Sequence, residues 1–192
     1  MPKIGQEPIR RDALVKATIA EVGEVGSLAV TVSQIARRAG MSSALAHHYF
    51  GGKSQILLAA MRELLKSFGT EVRSHVAQAT TPRRKVEAIV RAAFDEACFK
   101  PEVVAAWLQF YVQAQHDPEA QRLLRVYHRR LHSNLVSSLR PISATPRIHA
   151  EVIGALIDGV YIRQALKDGA LGGDEATAIV LATLDTLLGP VQ

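Results

Sequence analysis

The segment from Thr31 to Phe50, TVSQIARRAGMSSALAHHYF, places polar side chains at spacings that suit two short helices. Hydroxyl, imidazole and phenol groups, with a lysine ammonium just beyond them, can donate hydrogen bonds to phosphate oxygens and to base edges. These residue types therefore point to nucleic-acid recognition rather than to acid–base catalysis. The candidate residues are Thr31, Ser42, Ser43, Ala44, His47, His48, Tyr49 and Lys53.

The spacing within this segment predicts a helix-turn-helix. Thr31 and Ser42 are suited to cap two helices, because a hydroxyl oxygen accepts a hydrogen bond from a free backbone amide. Gly40 lies at the turn, where a positive φ is required, and small Ala36 and Ala46 let the helices approach closely. In this motif the second helix enters the major groove of DNA. An ordinary helical hairpin in a core is the alternative interpretation.

The predicted motif divides the candidate residues by role. The outer face of its second helix carries the residues expected to read bases, namely Ser43, Ala44, His47 and His48. Tyr49 and Lys53 are assigned to phosphates, since a lysine in the first turn of a helix is unfavourable unless an anion lies nearby. Arg10 and Arg11, at the start of the first helix, are either solvated charges or basic residues that touch phosphate or reach toward the minor groove.

A second group of residues has the composition of a site for a quaternary ammonium ion. Trp107, Phe110 and Tyr111 share one helical face, and Asp158 and Tyr161 are three residues apart on an otherwise apolar helix. Aromatic faces and a carboxylate are the groups that bind such a cation. The alternative is a packing cluster in which an arginine neutralises Asp158, either Arg163 or one within residues 122–130.

Several other kinds of chemistry have no support in the sequence. It contains no HExxH, GxGxxG, GxSxG or P-loop motif, so we predict neither an enzyme nor a bound cofactor. His128 and His132 are four residues apart, but Arg129 and Arg130 beside them would repel a metal ion. Cys98 is the single cysteine, which excludes an internal disulfide, and its apolar neighbours predict a buried thiol.

The periodicity of apolar residues predicts an all-α fold of about nine helices. Beyond the motif, helices are expected over 9–25, 53–79, 83–99, 102–115, 118–139, 147–168 and 175–188. We predict a helix-turn-helix DNA-binding domain over 1–52 and a helical ligand-binding and dimerisation domain over 53–192. The helices 147–168 and 175–188 are apolar over much more than one face, which indicates a homodimer interface.

Composition agrees with a DNA-binding protein but does not prove one. The 192 residues carry a net charge of +5, and residues 1–53 contain seven Lys and Arg against four Asp and Glu. The basic excess therefore lies mainly at the end that contains the motif. No secretion signal and no apolar run of transmembrane length is present, so we expect a cytoplasmic protein without membrane contact.

The segments TVSQIARRAGMS, HYF and GGKSQIL resemble the TetR family of bacterial repressors. The resemblance implies a three-helix DNA-binding head and a helical body that binds a small-molecule effector and dimerises. The family often has a tyrosine at the position of His47, where it commonly reaches a phosphate. Tyr49 and Lys53 keep the residue types usual in the family.

The body segments WLQFYVQAQHDPE, RRLHSNL and IDGVYIRQAL are similar to a choline-responsive branch of that family. This similarity implies repression of genes for choline uptake and glycine betaine synthesis during osmotic stress, relieved by choline. Two alternatives remain open. The chain could be a TetR-type repressor of another operon with a different ligand, or a small all-α enzyme or binding protein without DNA function.

Overall fold

The computed structural model describes residues 6–166 and 171–189, which form ten helices and no strand. The all-α prediction is therefore confirmed. The helices are α1 (Gln6–Val25), α2 (Val32–Arg38), α3 (Ser43–Phe50), α4 (Lys53–Ala77), α5 (Pro82–Ala93), α6 (Glu96–Phe99), α7 (Pro101–Gln113), α8 (Pro118–Leu139), α9 (Pro146–Ala165) and α10 (Gly173–Leu188).

Most of the helices predicted outside the motif differ from their predicted extents by a few residues at an end, and one of them is interrupted. The helix expected over 83–99 is interrupted, because α5 ends at Ala93 and Asp95 starts the single turn α6 by accepting a hydrogen bond from the backbone amide of Ala97. The long helix α4 ends at Ala77 rather than at residue 79. By contrast, α8 has the predicted bounds, since Asp117 and Pro118 define its start.

One compact unit comprises Met1–Leu64 and Pro101–Leu123. Within it, α1 packs closely on α7, and a Cβ atom added at Gly23 would lie 2.1 Å from the carbonyl oxygen of Glu102. Helix α1 also contacts α2, which packs on α3. The predicted DNA-binding motif, α2 and α3, thus packs on α1, which in turn packs on α7 within this unit.

The other compact unit comprises Leu65–Lys100 and Leu124–Gln192. Within its described residues, α10 packs against α9 and α5. The contact with α5 is close, because a Cβ atom added at Gly173 would lie 2.3 Å from the carbonyl oxygen of Phe94. The aromatic residues Phe94, Phe99 and Tyr161 are all buried in this unit.

The functional boundary predicted at residue 52 remains a prediction, since the packing units describe contacts and not roles. Residues 167 and 168, at the end of the helix predicted over 147–168, lie outside the described residues. Among the helices that are described, none combines the length and the apolarity needed to cross a membrane.

Candidate DNA-binding surface and effector-site residues

The first helix of the motif is fixed by a reciprocal pair of hydrogen bonds at its start. The Thr31 hydroxyl accepts a bond of 3.2 Å from the backbone amide of Gln34, and the Gln34 side chain accepts one of 2.7 Å from the amide of Thr31. This capping box satisfies two amides that the helix itself cannot pair. The predicted cap at Thr31 is confirmed as a structural feature.

The turn between α2 and α3 follows from one glycine and two backbone hydrogen bonds. Gly40 has a φ of +67°, and its amide donates to the carbonyl of Arg37. The amide of Met41 donates to the carbonyl of Ala36 over 2.8 Å. Together these bonds form a Schellman motif, which pairs carbonyls at the end of α2 and reverses the chain.

The second helix starts at a serine cap and packs through a small residue. The Ser42 hydroxyl accepts a hydrogen bond of 3.2 Å from the amide of Leu45. Ala46 on α3 and Ala36 on α2 are both fully buried. Since neither has a side chain beyond Cβ, the two helices can lie close together.

The structure places the base-reading candidates on the outside of α3. Ala44, His47 and His48 are exposed, and Ser43 is half-buried. The Ser43 hydroxyl donates to the hydroxyl of exposed Ser33 on α2 over 3.0 Å. Ser33, which is not among the residues predicted from the sequence, adds a polar group beside Ser43 on the same surface.

Tyr49, at the end of α3, is half-buried, and Arg11 from α1 lies over its ring. The Arg11 guanidinium carbon is 5.5 Å from the ring centre of Tyr49 and 5.1 Å from that of Phe50. Its Nε atom also donates to Glu7 over 2.8 Å. Arg11 thus contacts the end of α3 in addition to carrying charge, a role that neither predicted alternative described.

Arg38 in the motif and Lys53 just after it differ in their surroundings. Arg38 donates hydrogen bonds of 2.6 Å and 2.5 Å to Glu21 and Glu24 of α1, so its charge is compensated within this unit. Lys53 is half-buried in the first turn of α4, which contains no acidic residue. The unfavourable position expected for Lys53 from the sequence is therefore present in the structure.

The predicted effector residues fall into two groups, one in each compact unit. On α7, Trp107 and Phe110 are buried and Tyr111 is half-buried. The rings of Trp107 and Tyr111 are 5.8 Å apart and inclined by 31°. This contact between the rings of Trp107 and Tyr111 agrees with the predicted position of both residues on one helical face.

In the other unit, Tyr161 is part of a buried aromatic cluster. Its ring lies 5.9 Å from Phe94 and 5.3 Å from Phe99, measured between ring centres. Its hydroxyl donates to the carbonyl of Ala93 and, over 3.2 Å, to that of Cys98. Burial raises the pKa of Tyr161 well above its ordinary value, so this group acts as a neutral hydrogen-bond donor.

Cys98 is buried in the same region, as the sequence predicted. Burial, with a smaller effect of the negative charges of Asp95 and Glu71, raises the pKa of its thiol to about 12. A thiol with such a pKa is protonated at neutral pH and is a poor nucleophile. Cys98 is accordingly a structural residue.

Asp158 lines a cavity of about 220 Å³ between α8 and α9. The Nε2 atom of His128 lies 3.5 Å from its Oδ2 atom, and that of His132 lies 4.0 Å from Oε2 of Glu151. The spacing of the two histidines along the chain gives no sign of these carboxylates, which α9 supplies. The charge of Asp158, added to a larger effect of burial, raises the pKa of Tyr127.

Comparison with known proteins identifies the family. Residues 14–60 match the description of bacterial regulatory proteins of the TetR family, and residues 82–189 match that of the BetI-type transcriptional repressor C-terminal domain. The chain belongs to the TetR family. This TetR-family chain is a transcriptional regulator and not an enzyme, and the motif in α2 and α3 is its DNA-binding element.

Individual relatives cover almost the whole regulator. It is 52% identical to the HTH-type transcriptional regulator BetI of Brucella suis, over 94% of this chain and 91% of that protein. It is 51% identical to the BetI regulator of Agrobacterium fabrum, over 94% and 88%. A transcriptional regulator of Saccharomonospora viridis, solved in complex with choline, has the same fold with a TM-score of 0.82 at 19% identity, covering 91% of this chain and 95% of that one.

Proposed function

We propose that the chain represses genes for choline uptake and glycine betaine synthesis, and that choline relieves this repression during osmotic stress. The observation that carries the proposal is the identity of about one half to regulators named BetI over 94% of the chain. The match of residues 82–189 to the BetI-type C-terminal domain supports it in the body, where an effector would bind. Because the protein acts on operator DNA, its place of action is the cytoplasm.

The proposed operator contacts are of two kinds, to base edges and to phosphates. Ala44, His47 and His48 are exposed on the helix expected to enter the major groove, and they are proposed to read base edges with Ser43. Lys53 and the Tyr49 hydroxyl are proposed to contact phosphates, which fix the register of the protein on DNA. Thr31 and Ser42, at the starts of the two helices, are proposed as further DNA contacts near the phosphates.

Equilibrium DNA-binding measurements at several salt concentrations test these roles. We expect Lys53→Ala to weaken binding to operator and to unrelated DNA alike, and to reduce the slope of log affinity against log salt by about one. His48→Ala should instead change the preference among operator variants, because base contacts carry the sequence information. His116→Ala is the control, because His116 is exposed and lies far from the motif in the sequence. Arg38→Ala is not a suitable control, since it would break the hydrogen bonds to Glu21 and Glu24 of α1. An unchanged salt slope in Lys53→Ala would exclude the phosphate role.

The protein is further proposed to act as a homodimer through α9 and α10. Several apolar side chains on these helices or directly after α9 remain exposed, with relative exposures of 63% for Ile148, 66% for Leu166 and 43% for Ile179. Covering such residues with the same surface of a second copy would remove apolar area from water. Sedimentation should therefore give twice the 20.8 kDa of one chain, and a 20.8 kDa species alone at micromolar concentration would exclude this dimer.

Choline is the proposed effector, with Trp107, Phe110, Tyr111, Asp158 and Tyr161 as the proposed ligand residues. Aromatic faces bind a quaternary ammonium without hydrogen bonds, and a carboxylate adds the opposite charge. The proposal relies on the ring pair of Trp107 and Tyr111 in one unit and on the half-buried carboxylate of Asp158 in the other. For Tyr161, only the ring is proposed to take part, because its hydroxyl is bound to backbone carbonyls.

Calorimetric titration of choline tests the effector and each group separately. Wild-type protein should bind, and Trp107→Phe and Asp158→Asn should each bind more weakly while retaining their helical content. Weaker binding in only one variant would mean that choline contacts only the residue changed in that variant. Equal affinity in wild type and both variants would exclude Trp107 and Asp158 as choline ligands. No binding to wild type, with operator binding intact, would favour a TetR-type repressor of a different operon with another ligand.

Release of DNA must depend on a difference in choline affinity between the free and the DNA-bound protein. A tenfold loss of operator affinity requires a coupling free energy of about 1.4 kcal/mol. Operator binding measured with and without choline gives this coupling directly. Operator affinity independent of saturating choline would exclude relief of repression by this molecule.

A further inference from the structure

Glu71, His75 and Asp95, none of which is a proposed DNA or effector residue, bring three potential metal ligands together. Each residue offers one potential ligand atom, and these three atoms all lie within 4.8 Å of one another. The Nε2 atom of His75 is 3.5 Å from Oδ2 of Asp95. All three residues are half-buried and belong to the same compact unit.

Local structure fixes the positions of these groups. Glu71 and His75 are four residues apart on α4, so their side chains lie on the same helical face. Asp95 uses its Oδ1 atom to accept a hydrogen bond of 3.0 Å from the amide of Ala97. This bond orients the carboxylate and leaves Oδ2, the atom near His75, available to a ligand.

Among the described residues, the cluster carries more negative than positive charge. Two carboxylates face one imidazole, and within residues 6–166 and 171–189 no lysine or arginine forms an ion pair with Glu71 or Asp95. His75 also lies in the last turn of α4, where the partial negative charge of the helix end favours a cation. A protonated imidazole would neutralise only one of the two carboxylates, whereas a divalent cation would neutralise both.

We propose that Glu71, His75 and Asp95 bind a first-row divalent metal ion such as Zn²⁺. An imidazole with two carboxylates is a donor set that such ions accept, with bonds of about 2.0–2.2 Å to nitrogen and oxygen. At these lengths, a separation of 3.5 Å between Nε2 and Oδ2 corresponds to an angle of about 110° at the metal. The ion would connect the end of α4 to the segment that joins α5 and α6.

Titration of Zn²⁺ into chelator-treated protein, without tag, DNA or choline, tests the site. The variants Glu71→Gln, His75→Ala and Asp95→Asn each remove one ligand. Asparagine at position 95 preserves the helix cap, and circular dichroism confirms that each variant is folded. His116→Ala removes an exposed histidine outside the cluster and is the matched control.

We expect one Zn²⁺ per chain in wild type and in His116→Ala, and an affinity at least about tenfold lower in each ligand variant. Zn²⁺ should also raise the melting temperature of wild type by more than that of Asp95→Asn at the same Zn²⁺ concentration, because only the folded chain brings the three ligands together. Absence of binding to wild type would overturn the proposal. Equal affinity in wild type and the three ligand variants, or an equal loss in His116→Ala and His75→Ala, would also overturn it.

Discussion

The DNA-binding motif and the Tyr161 cluster are held together by hydrogen bonds of very different range along the chain. In the motif, the bonds at the caps and the turn join residues three to five positions apart, and the Ser33–Ser43 bond spans ten. The Tyr161 hydroxyl instead donates to carbonyls 68 and 63 residues earlier in the chain. The motif is therefore specified locally, whereas the cluster exists only after distant helices have packed. Substitutions should separate these two regions.

Truncation of Phe99 should give the largest effect and should act through overall stability. Phe99 is buried and packs edge to face on Phe94 and Tyr161. We expect Phe99→Ala to lower the free energy of unfolding by about 3–5 kcal/mol, as for other buried phenylalanines. Chemical denaturation followed by circular dichroism measures this change. Phe99→Leu, which refills most of the space, should cost clearly less, and equal losses would mean that the cluster tolerates a cavity.

Two tyrosine hydroxyls should show opposite effects on stability and on DNA binding. Tyr161→Phe removes the donor to two buried carbonyls and should lower the free energy of unfolding by about 1–3 kcal/mol. Tyr49→Phe removes a hydroxyl proposed to contact phosphate, so it should weaken DNA binding with little change in stability. Chemical denaturation measures the stability of both variants, and DNA titration measures their affinity for DNA. If Tyr49→Phe were the more destabilising substitution, the assignment of the two hydroxyls would be wrong.

A helix cap in the motif should have a smaller effect, which a second threonine can calibrate. The Thr31 side chain caps α2, whereas Thr145 stands at the start of α9 without a side-chain cap bond. Thr31→Ala should therefore cost about 1 kcal/mol, and Thr145→Ala should cost less. Thermal unfolding of the two proteins gives the comparison. The opposite order would show that the capping box contributes little to this motif.

The smallest expected effect concerns the contact of Arg11 with the end of α3. Arg11→Gln removes the cation above the rings of Tyr49 and Phe50 and should cost about 0.5–1 kcal/mol. The neighbouring Arg10 bonds only to Gln6 among the contacts described for it, so Arg10→Gln is the matched control. Denaturation measured at low and high salt checks this difference. Identical stability of both proteins would leave Arg11 without a positioning role.

The same difference in range explains what the sequence could predict. Thr31, Gly40 and Ser42 were recognisable because caps and turns depend on residues a few positions away. The bounds of α8 were predicted for the same reason, from Asp117 and Pro118. The break at Asp95 was missed because no glycine or proline marks it.

Contacts between distant helices could not be read from periodicity. His128 lies opposite Asp158, thirty residues later, and no local pattern predicts which groups of α8 and α9 will face each other. The convergence of Glu71, His75 and Asp95 has the same origin, since α4 and the turn before α6 meet only in the folded chain. Helical spacing predicts which residues share one face of a helix, but it does not determine which other helix packs against that face.

The local construction of the motif has a consequence for how operator preference can diverge among related regulators. The bonds that shape α2, the turn and the start of α3 come from Thr31, Gln34, Ser42 and the backbone. The side chains of exposed Ala44 and His48 take no part in those hydrogen bonds. Mutation can therefore change the surface presented to DNA while the framework beneath it is inherited intact, so new target sites can arise without an intermediate that fails to fold.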